Sequence, residues 1–255
     1  MKTLLCDMTG VVFTNGKPNI KLLQTLSNTK KVNVSFCTGK SYLGMCECLE
    51  KFDFKGPMVC ENGALITFLD GTIISKHSIQ TRTIEGLVHD IMAQGVQSIS
   101  FCNLKTYRHI FWLNNNSISL PDYFYAEYIT HNEENFLEKM LEQEIVRLVV
   151  HTTQKVEIEK YKEYFEVNLS ADGFYSITAK GINKKSAAYE ISSYLNISVD
   201  DLIIIGNDYN DIDVFDISEA MKISIGASCP MELINKSDLN LELDDFDEWL
   251  GLWNL

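Results

Sequence analysis

The run Leu202-Ile203-Ile204-Ile205, closed by Gly206, constrains the fold more than any other stretch. Consecutive aliphatic residues put apolar side chains on both faces of an extended strand, so both faces must be covered. Thr3–Cys6 (TLLC) and Pro57–Cys60 (PMVC) have the same character, and Val32–Cys37 (VNVSFC) is strand-like with Asn33 and Ser35 between its apolar residues. Segments with helical spacing separate these runs. Ile20, Leu22, Leu23 and Leu26 form a stripe within Asn19–Lys31; Ser41–Phe52 reads as another helix, and Asn183–Leu195 as a third with Asn183 as N-cap. Buried strands alternating with helices describe parallel βαβ units, in which each crossover helix also covers the sheet. Met221–Ile225 adds a last strand, and the stretch around Trp249 and Trp253 a terminal helix.

The middle of the chain has a different texture. Ala64–Leu69 and Thr72–His77 flank Asp70-Gly71, a strong hairpin signal. Thr83–Gln94 carries Ile84, Leu87, Val88, Ile91 and Met92 on one helical face and ends at Gly95. Val96–Phe101, Tyr107–Leu113 and Ile145–Thr152 read as strands, Glu133–Gln143 and Gln154–Tyr164 as helices, and Tyr175–Thr178 resumes a strand. No internal repeat divides the 255 residues. The expected architecture is an α/β, Rossmann-like doubly wound parallel sheet made by residues 1–79 and 175–255, with an α/β cap inserted at 80–174.

Charge and cysteine usage exclude several classes of function. Thirty-five acids against 22 bases leave a net charge of −13, which disfavours nucleic acid and anionic membrane as partners because both demand a basic face. No apolar stretch reaches the ~20 residues of a membrane span. Asp7 also cuts the first apolar run short of a signal peptide. The seven cysteines include only one loose pair, Cys46-x-Cys48, and Cys6, Cys37 and Cys60 end apolar runs. They read as reduced core thiols of a cytoplasmic protein rather than zinc ligands.

In an open parallel sheet, ligands gather at the carboxyl ends of the strands. Here those positions carry Asp7-Met8-Thr9-Gly10, Cys37-Thr38-Gly39-Lys40 and Asn207 to Asp211, with Lys184 at a helix start. Each has a plain alternative as a turn, a loop, a helix cap or a solvated charge. Together an acid, a hydroxyl, an ammonium and a second acid cluster are the parts of a magnesium-assisted phosphoryl-transfer site. In such a site an aspartate can itself be the nucleophile.

These segments, in this order, resemble the haloacid dehalogenase (HAD) superfamily hydrolases of the Cof-like type, with a class IIB cap. The family pattern D-x-D-G-[TV] stands as Asp7-Met8-Thr9-Gly10-Val11, T-G-R as Thr38-Gly39-Lys40, and E-N-G-A as Glu61-Asn62-Gly63-Ala64. K-G-[VI]-x-K stands as Lys180 to Lys184 and G-D-x-x-N-D as Gly206 to Asp211. The resemblance implies Asp7 as nucleophile and metal ligand, Thr9 lending its carbonyl to magnesium, and Asn207 and Asp211 completing the metal site. It implies Thr38, Gly39, Lys184 and Asn210 around the phosphoryl group of a small phosphorylated metabolite.

Two departures shape the expected activity, and a third, at Lys40, is milder. Thr9 replaces the aspartate that acts as general acid and then base, a loss worth typically ~10²–10⁴-fold. P-type ATPases of the same superfamily also carry D-x-T, and act on a leaving group that needs little protonation. Asn207 replaces an aspartate, so magnesium loses one negative ligand. Lys40 for arginine exchanges a fork for a point charge. The reading is a phosphohydrolase biased to good leaving groups. The alternatives are a non-catalytic relative that binds a phosphate ligand or a protein, and an ordinary sugar-phosphate phosphatase whose acid comes from the cap. Arg108, His109, Asn114–Asn116 and Arg147 are cap candidates by polarity, while Tyr123, Tyr125 and Tyr128 are expected to pack within the cap. Asp238–Glu248 reads as a solvated edge and helix start.

Overall fold

A computed structural model describes residues 1–14, 16–115, 118, 125–169 and 173–252. The first part of the chain forms β1 (Thr3–Cys6), a small ribbon β2 (Phe13–Thr14) and β3 (Lys17–Pro18), α1 (Ile20–Asn28), β4 (Asn33–Cys37), α2 (Tyr42–Leu49), β5 (Met58–Cys60), β6 (Leu65–Thr67) and β7 (Ile73–Lys76). The middle forms α3 (Thr81–Ala93), β8 (Ser98–Asn103), β9 (Arg108–Leu113), β10 (Ala126–Thr130), α4 (Glu133–Leu141), β11 (Arg147–His151), β12 (Phe165–Leu169) and β13 (Phe174–Ala179). The last part forms α5 (Lys184–Leu195), β14 (Leu202–Gly206), α6 (Ile212–Phe215), β15 (Met221–Ile225), α7 (Met231–Lys236), β16 (Leu239–Leu241) and α8 (Leu243–Gly251).

Both ends of the chain build one eight-stranded sheet, ordered β16-β15-β14-β1-β4-β5-β6-β7. β1 pairs in parallel with β14 on one side and β4 on the other, so the strand order reverses at β1. Alternate residues of these apolar strands enter separate cores. Leu4, Cys6, Ile203 and Ile205 pack with α1, α2 and α8, whereas Leu5, Leu202 and Ile204 pack with α5, α6 and α7. This two-sided burial is why the strands read as unbroken apolar runs.

The inserted sheet, ordered β10-β9-β8-β11-β13-β12, is antiparallel except at β9–β10. Its strands alternate. Ile99, Phe101, Ile110, Trp112, Leu148, Val150 and Ile177 bury against α3 and α4. Ser100, His109, Arg147, Val149 and Ser176 point the other way and line a cavity shared with the first sheet.

Several local expectations are corrected. Gln154–Tyr164 is not a helix; it is an extended segment with one 3₁₀ turn at Glu159–Tyr161, followed by the unanticipated β12. Val156 and Ile158, spaced by two, both bury, and the Gln94 side chain bonds the backbone N–H and C=O of Glu157. The strand at Tyr175–Thr178 pairs with β11 and β12, so the chain returns to the first sheet after Ala179, later than the break expected at 174/175. The Asp70-Gly71 turn is longer than two residues: Thr67 pairs with Ile73, Asp70 Oδ1 accepts from the Thr72 N–H at 2.9 Å, and Gly71 sits at φ +87°. β10, whose strand formers are confined to Tyr128, Ile129 and Thr130, is a strand that the expected architecture lacks.

All seven cysteines are free, and all but the half-buried Cys46 are buried. Burial pushes the thiols of Cys6, Cys37 and Cys60 up, which makes them poor nucleophiles. Among the described residues, no helix is long and apolar enough to cross a membrane.

Candidate active site

Because β1 lies between β4 and β14, the residues after those strands emerge side by side, at the point where the strand order reverses. Asp7 follows β1 directly and its N–H still bonds the Ile205 carbonyl at 2.9 Å. The chain then turns sharply, with the Met8 carbonyl accepting from the N–H groups of Val12 and Phe13 at 3.0 and 2.7 Å. Gly10 sits at φ +85°, and a Cβ there would lie 1.9 Å from the Asn207 side chain. The turn therefore needs glycine twice over, for its backbone and for the approach of Asn207.

The loop after β4 is braced by the E-N-G segment. The N–H groups of Glu61 and Asn62 donate to the carbonyls of Lys40 and Thr38, both at 3.0 Å, and Thr38 Oγ1 accepts from the Lys40 N–H at 3.2 Å. Glu61, Asn62 and Gly63 all adopt positive φ, at 54°, 54° and 100°. A Cβ on Gly63 would meet the Asn183 carbonyl oxygen at 2.2 Å. This left-handed run thus wedges the Thr38–Lys40 loop against the start of α5. There Asn183 caps the helix through a reciprocal bond with Ser186, and Lys184 is its first residue.

Lys184 ties the strand ends together. Its buried Nζ donates to Asp7 Oδ1 at 2.8 Å, to Asp211 Oδ1 at 2.6 Å and to Asn210 Oδ1 at 3.4 Å. Asp211 Oδ2 accepts from the N–H groups of Asn207 and Asp208 at 2.9 and 3.1 Å. Both oxygens of Asp211 are thereby engaged, and Asp208 caps its own turn. Burial alone would push the Lys184 ammonium down, but Asp211 and Asp7 outweigh it and hold it above its ordinary value. Burial, reinforced by the Asp211 charge, pushes Asp7 up from 3.8 to about 7 despite Lys184. The charge count adds to the effect of burial: two carboxylates and one ammonium leave one uncompensated negative charge in a dry site.

The donor set fits a magnesium ion. One atom of the Asn207 side-chain amide lies 2.7 Å from the Thr9 carbonyl oxygen and 3.3 Å from Asp7 Oδ2. With nitrogen in that place, Asn207 donates to both. With the amide turned over, three hard oxygens converge at about the ~3 Å edge that a cation with 2.0–2.1 Å bonds requires. The expected ligands Asp7, Thr9 and Asn207 are therefore brought together, whereas Asp211 stands behind them on Lys184.

The site opens into a cavity of about 620 Å³ between the two sheets. Asp7, Thr9, Thr38, Gly39, Lys40, Asp208 and Asn210 line its floor, and Ser100, His109, Arg147, Asn168 and Ser176 its roof. Lys40 Nζ rests over the Phe13 ring at 3.9 Å, and burial lowers its pKa. Of the cap candidates, His109 and Arg147 line the cavity; Arg108, Asn114 and Asn115 are exposed away from it, and Asn116 lies outside the described residues. Tyr128 packs in the cap core, but the Tyr125 hydroxyl bonds Glu47 on α2 and so links cap to core; Tyr123 lies outside the described residues.

Sequence reasoning left Glu61 without a role, and the structure gives it one. Its fully buried carboxylate lies 2.7 Å from Arg147 Nε, and Arg147 Nη1 also bonds the Gly39 carbonyl. Glu61 and Arg147 thus join the loop after β4 to the cap. Arg147→Met is expected to destabilise the protein by about 3–5 kcal/mol because it strands a buried charge. The Glu61→Gln/Arg147→Met double variant should recover much of that loss, as urea unfolding would measure.

Residues 4–225 match the sequence profile of the haloacid dehalogenase-like hydrolases. The chain belongs to that family. A search of curated proteins gave no match. Among solved structures, the fold is similar to a HAD subclass IIB sugar phosphatase (16% identity, 99% of this chain and 97% of that one, TM-score 0.78). It is also similar to a protein from Thermotoga maritima (15%, 99% and 96%, TM-score 0.76) and to a HAD-superfamily phosphatase from Bacteroides thetaiotaomicron (14%, 99% and 95%, TM-score 0.77).

Proposed function

We propose that the protein is a phosphohydrolase of small phosphorylated metabolites that works through an aspartyl-phosphate on Asp7. The observation that carries this reading is the buried Asp7–Lys184–Asp211 cluster, whose Asp7 lines the floor of the cavity beside the Thr38–Lys40 loop. The Asp7 carboxylate attacks phosphorus, the bond from phosphorus to the leaving oxygen breaks, and the electron pair departs on that oxygen. Water then attacks the aspartyl-phosphate, frees inorganic phosphate and a proton, and restores the carboxylate. Lys184 orients Asp7 throughout, while Thr38, Gly39, Lys40 and Asn210 surround the phosphoryl oxygens. Magnesium, held by Asp7, the Thr9 carbonyl and Asn207, would supply positive charge against the transferring phosphoryl group.

The leaving group receives no proton from position 9, because a threonine hydroxyl does not titrate near neutrality. His109 does not replace that acid: burial pushes its pKa down, so the ring is neutral. Acyl phosphates and anhydrides, whose leaving groups depart as stable anions, are therefore the preferred class. Incubation with magnesium and acetyl, aryl and sugar phosphates tests this order. Turnover of none of them, with no trapping of Asp7 by beryllium fluoride, would leave the protein a phosphate-binding relative without catalysis.

The missing ligand charge has its own expected result. Asn207→Asp should tighten Mg²⁺ or Mn²⁺ by about 10–100-fold, at least the range that changes around metal ligands produce. Calorimetry of the free protein measures it without reference to turnover, and equal affinities would remove Asn207 from the cation site.

A further inference from the structure

The core-facing surface of the cap carries a row of side chains across three strands. Cys102 on β8 pairs directly with His109 on β9, and Arg147 on β11 precedes Leu148, the partner of Phe101, so it stands on the far side of Cys102. The His109 N–H bonds the Tyr125 carbonyl at 3.0 Å, away from β8. Cys102 and His109 are therefore a non-hydrogen-bonded pair, the kind whose side chains approach most closely in an antiparallel ladder. Glu61 descends on this pair from the first sheet.

A ligand atom from each of Glu61, Cys102 and His109 lies within 4.8 Å of the other two, and their exposures are only 0%, 1% and 5%. Glu61 Oε1 faces His109 Nε2 at 3.9 Å, beyond a hydrogen bond. Arg147 occupies the Oε2 side at 2.7 Å. Neither Glu61 oxygen accepts a hydrogen bond of good geometry, and His109 Nδ1 has no partner. Buried polar atoms left in this state call for another partner.

We propose that Glu61, Cys102 and His109 form a zinc site at the junction of core and cap. A thiolate, an imidazole and a carboxylate are the donor set of a borderline-soft cation, unlike the all-oxygen set around Asp7. Bonds of 2.0–2.3 Å in a tetrahedron separate ligand atoms by ~3.3–3.8 Å, so side-chain rotations closing at most about 1.5 Å complete the site. His109 also lines the cavity, which leaves the fourth position to water. Arg147 offsets the Glu61 charge, so the ion is balanced chiefly by the Cys102 thiolate. Binding releases the thiol proton, and uptake therefore strengthens as pH rises. With Glu61 on one sheet and Cys102 and His109 on the other, zinc would fasten the cap to the core. The site does not depend on the proposed catalytic reading.

The test is a Co²⁺ titration of the metal-stripped full-length protein in saturating Mg²⁺, which occupies hard-oxygen sites. The expected result is a thiolate-to-cobalt charge-transfer band that saturates at one equivalent and disappears on adding Zn²⁺. Cys102→Ser should abolish the band, His109→Gln should weaken binding by about 10-fold or more, and Cys46→Ser should leave it intact. Absence of the band in wild type, or its persistence in Cys102→Ser, would overturn the proposal. If Cys102→Ser does not fold, as judged by circular dichroism, His109→Gln and Glu61→Gln decide: an unchanged band in both refutes the site.

Discussion

The Asp7→Asn variant is expected to lose turnover of every phosphate by about 10³-fold or more, since an amide cannot act as the carboxylate nucleophile proposed to carry the phosphoryl intermediate. An inactive variant is often an unfolded one, but here the same substitution should stabilise. The folded protein holds the Asp7 proton up to about pH 7, whereas the unfolded chain releases it near 3.8. Between those values the folded state binds more protons than the unfolded, so the wild type loses stability as pH rises through that window. An amide does not titrate, and Lys184 keeps Asp211 as a partner at 2.6 Å. Asp7→Asn should therefore melt at or above the wild-type temperature at pH 8, with the difference vanishing below pH 4. Thermal melts across that range, run beside the assay, separate loss of the nucleophile from loss of the fold. Full activity in a folded Asp7→Asn protein would remove Asp7 as nucleophile.

Most of the core was legible because both faces of its strands are buried. Thr3–Cys6 and Leu202–Ile205 have no polar alternation to mislead, and they pair in parallel in the middle of the sheet, Thr3 opposite Leu202 and Cys6 opposite Ile205. The inserted sheet was harder to read. Its outer face must be apolar for α3 and α4 while its inner face must be polar for the cavity, and Ala126–Thr130 and Phe165–Leu169 are only five residues long, too short for their alternation to stand out. Gln154–Tyr164 departs from the expected helix because Val156 and Ile158, spaced by two, bury the same side of an extended segment, and the Glu157 backbone is satisfied by the side chain of Gln94, 63 residues earlier.

The floor residues were legible one strand end at a time, but three relations were not. Lys184 standing between Asp7 and Asp211, Asn207 standing between Asp7 and Thr9, and Glu61 reaching Arg147 all join segments far apart in the chain. The net charge of −13 also takes on meaning here. A phosphate must approach an acidic molecule, so attraction has to be local. Lys184 is already committed to two carboxylates, which leaves Lys40 and the proposed cation as the charges available to the ligand. Asn207 weakens the second of these, and the site's preference for phosphates should depend on magnesium concentration more steeply than that of a site with aspartate there.

Thr9→Asp is the substitution expected to add the most. The Thr9 carbonyl, which belongs to the floor, is unaffected by the side chain, and Thr9 is itself exposed at the cavity. A carboxyl group there is open to solvent, so either of its protonation states costs little to place. It restores a group able to protonate a departing alkoxide and then to draw a proton from the hydrolytic water. Turnover of sugar and other alkyl phosphates should rise by ~10²–10⁴-fold, the usual worth of a positioned acid–base group. Acetyl phosphate, whose leaving group needs no proton, should change far less. The ratio of the two rates is the decisive readout, because a general change in folding or metal affinity moves both together. A rise confined to alkyl phosphates would show that the chemistry is complete but for this proton. Equal rates before and after, in a folded Thr9→Asp protein that still turns over acetyl phosphate, would mean that another group already supplies it.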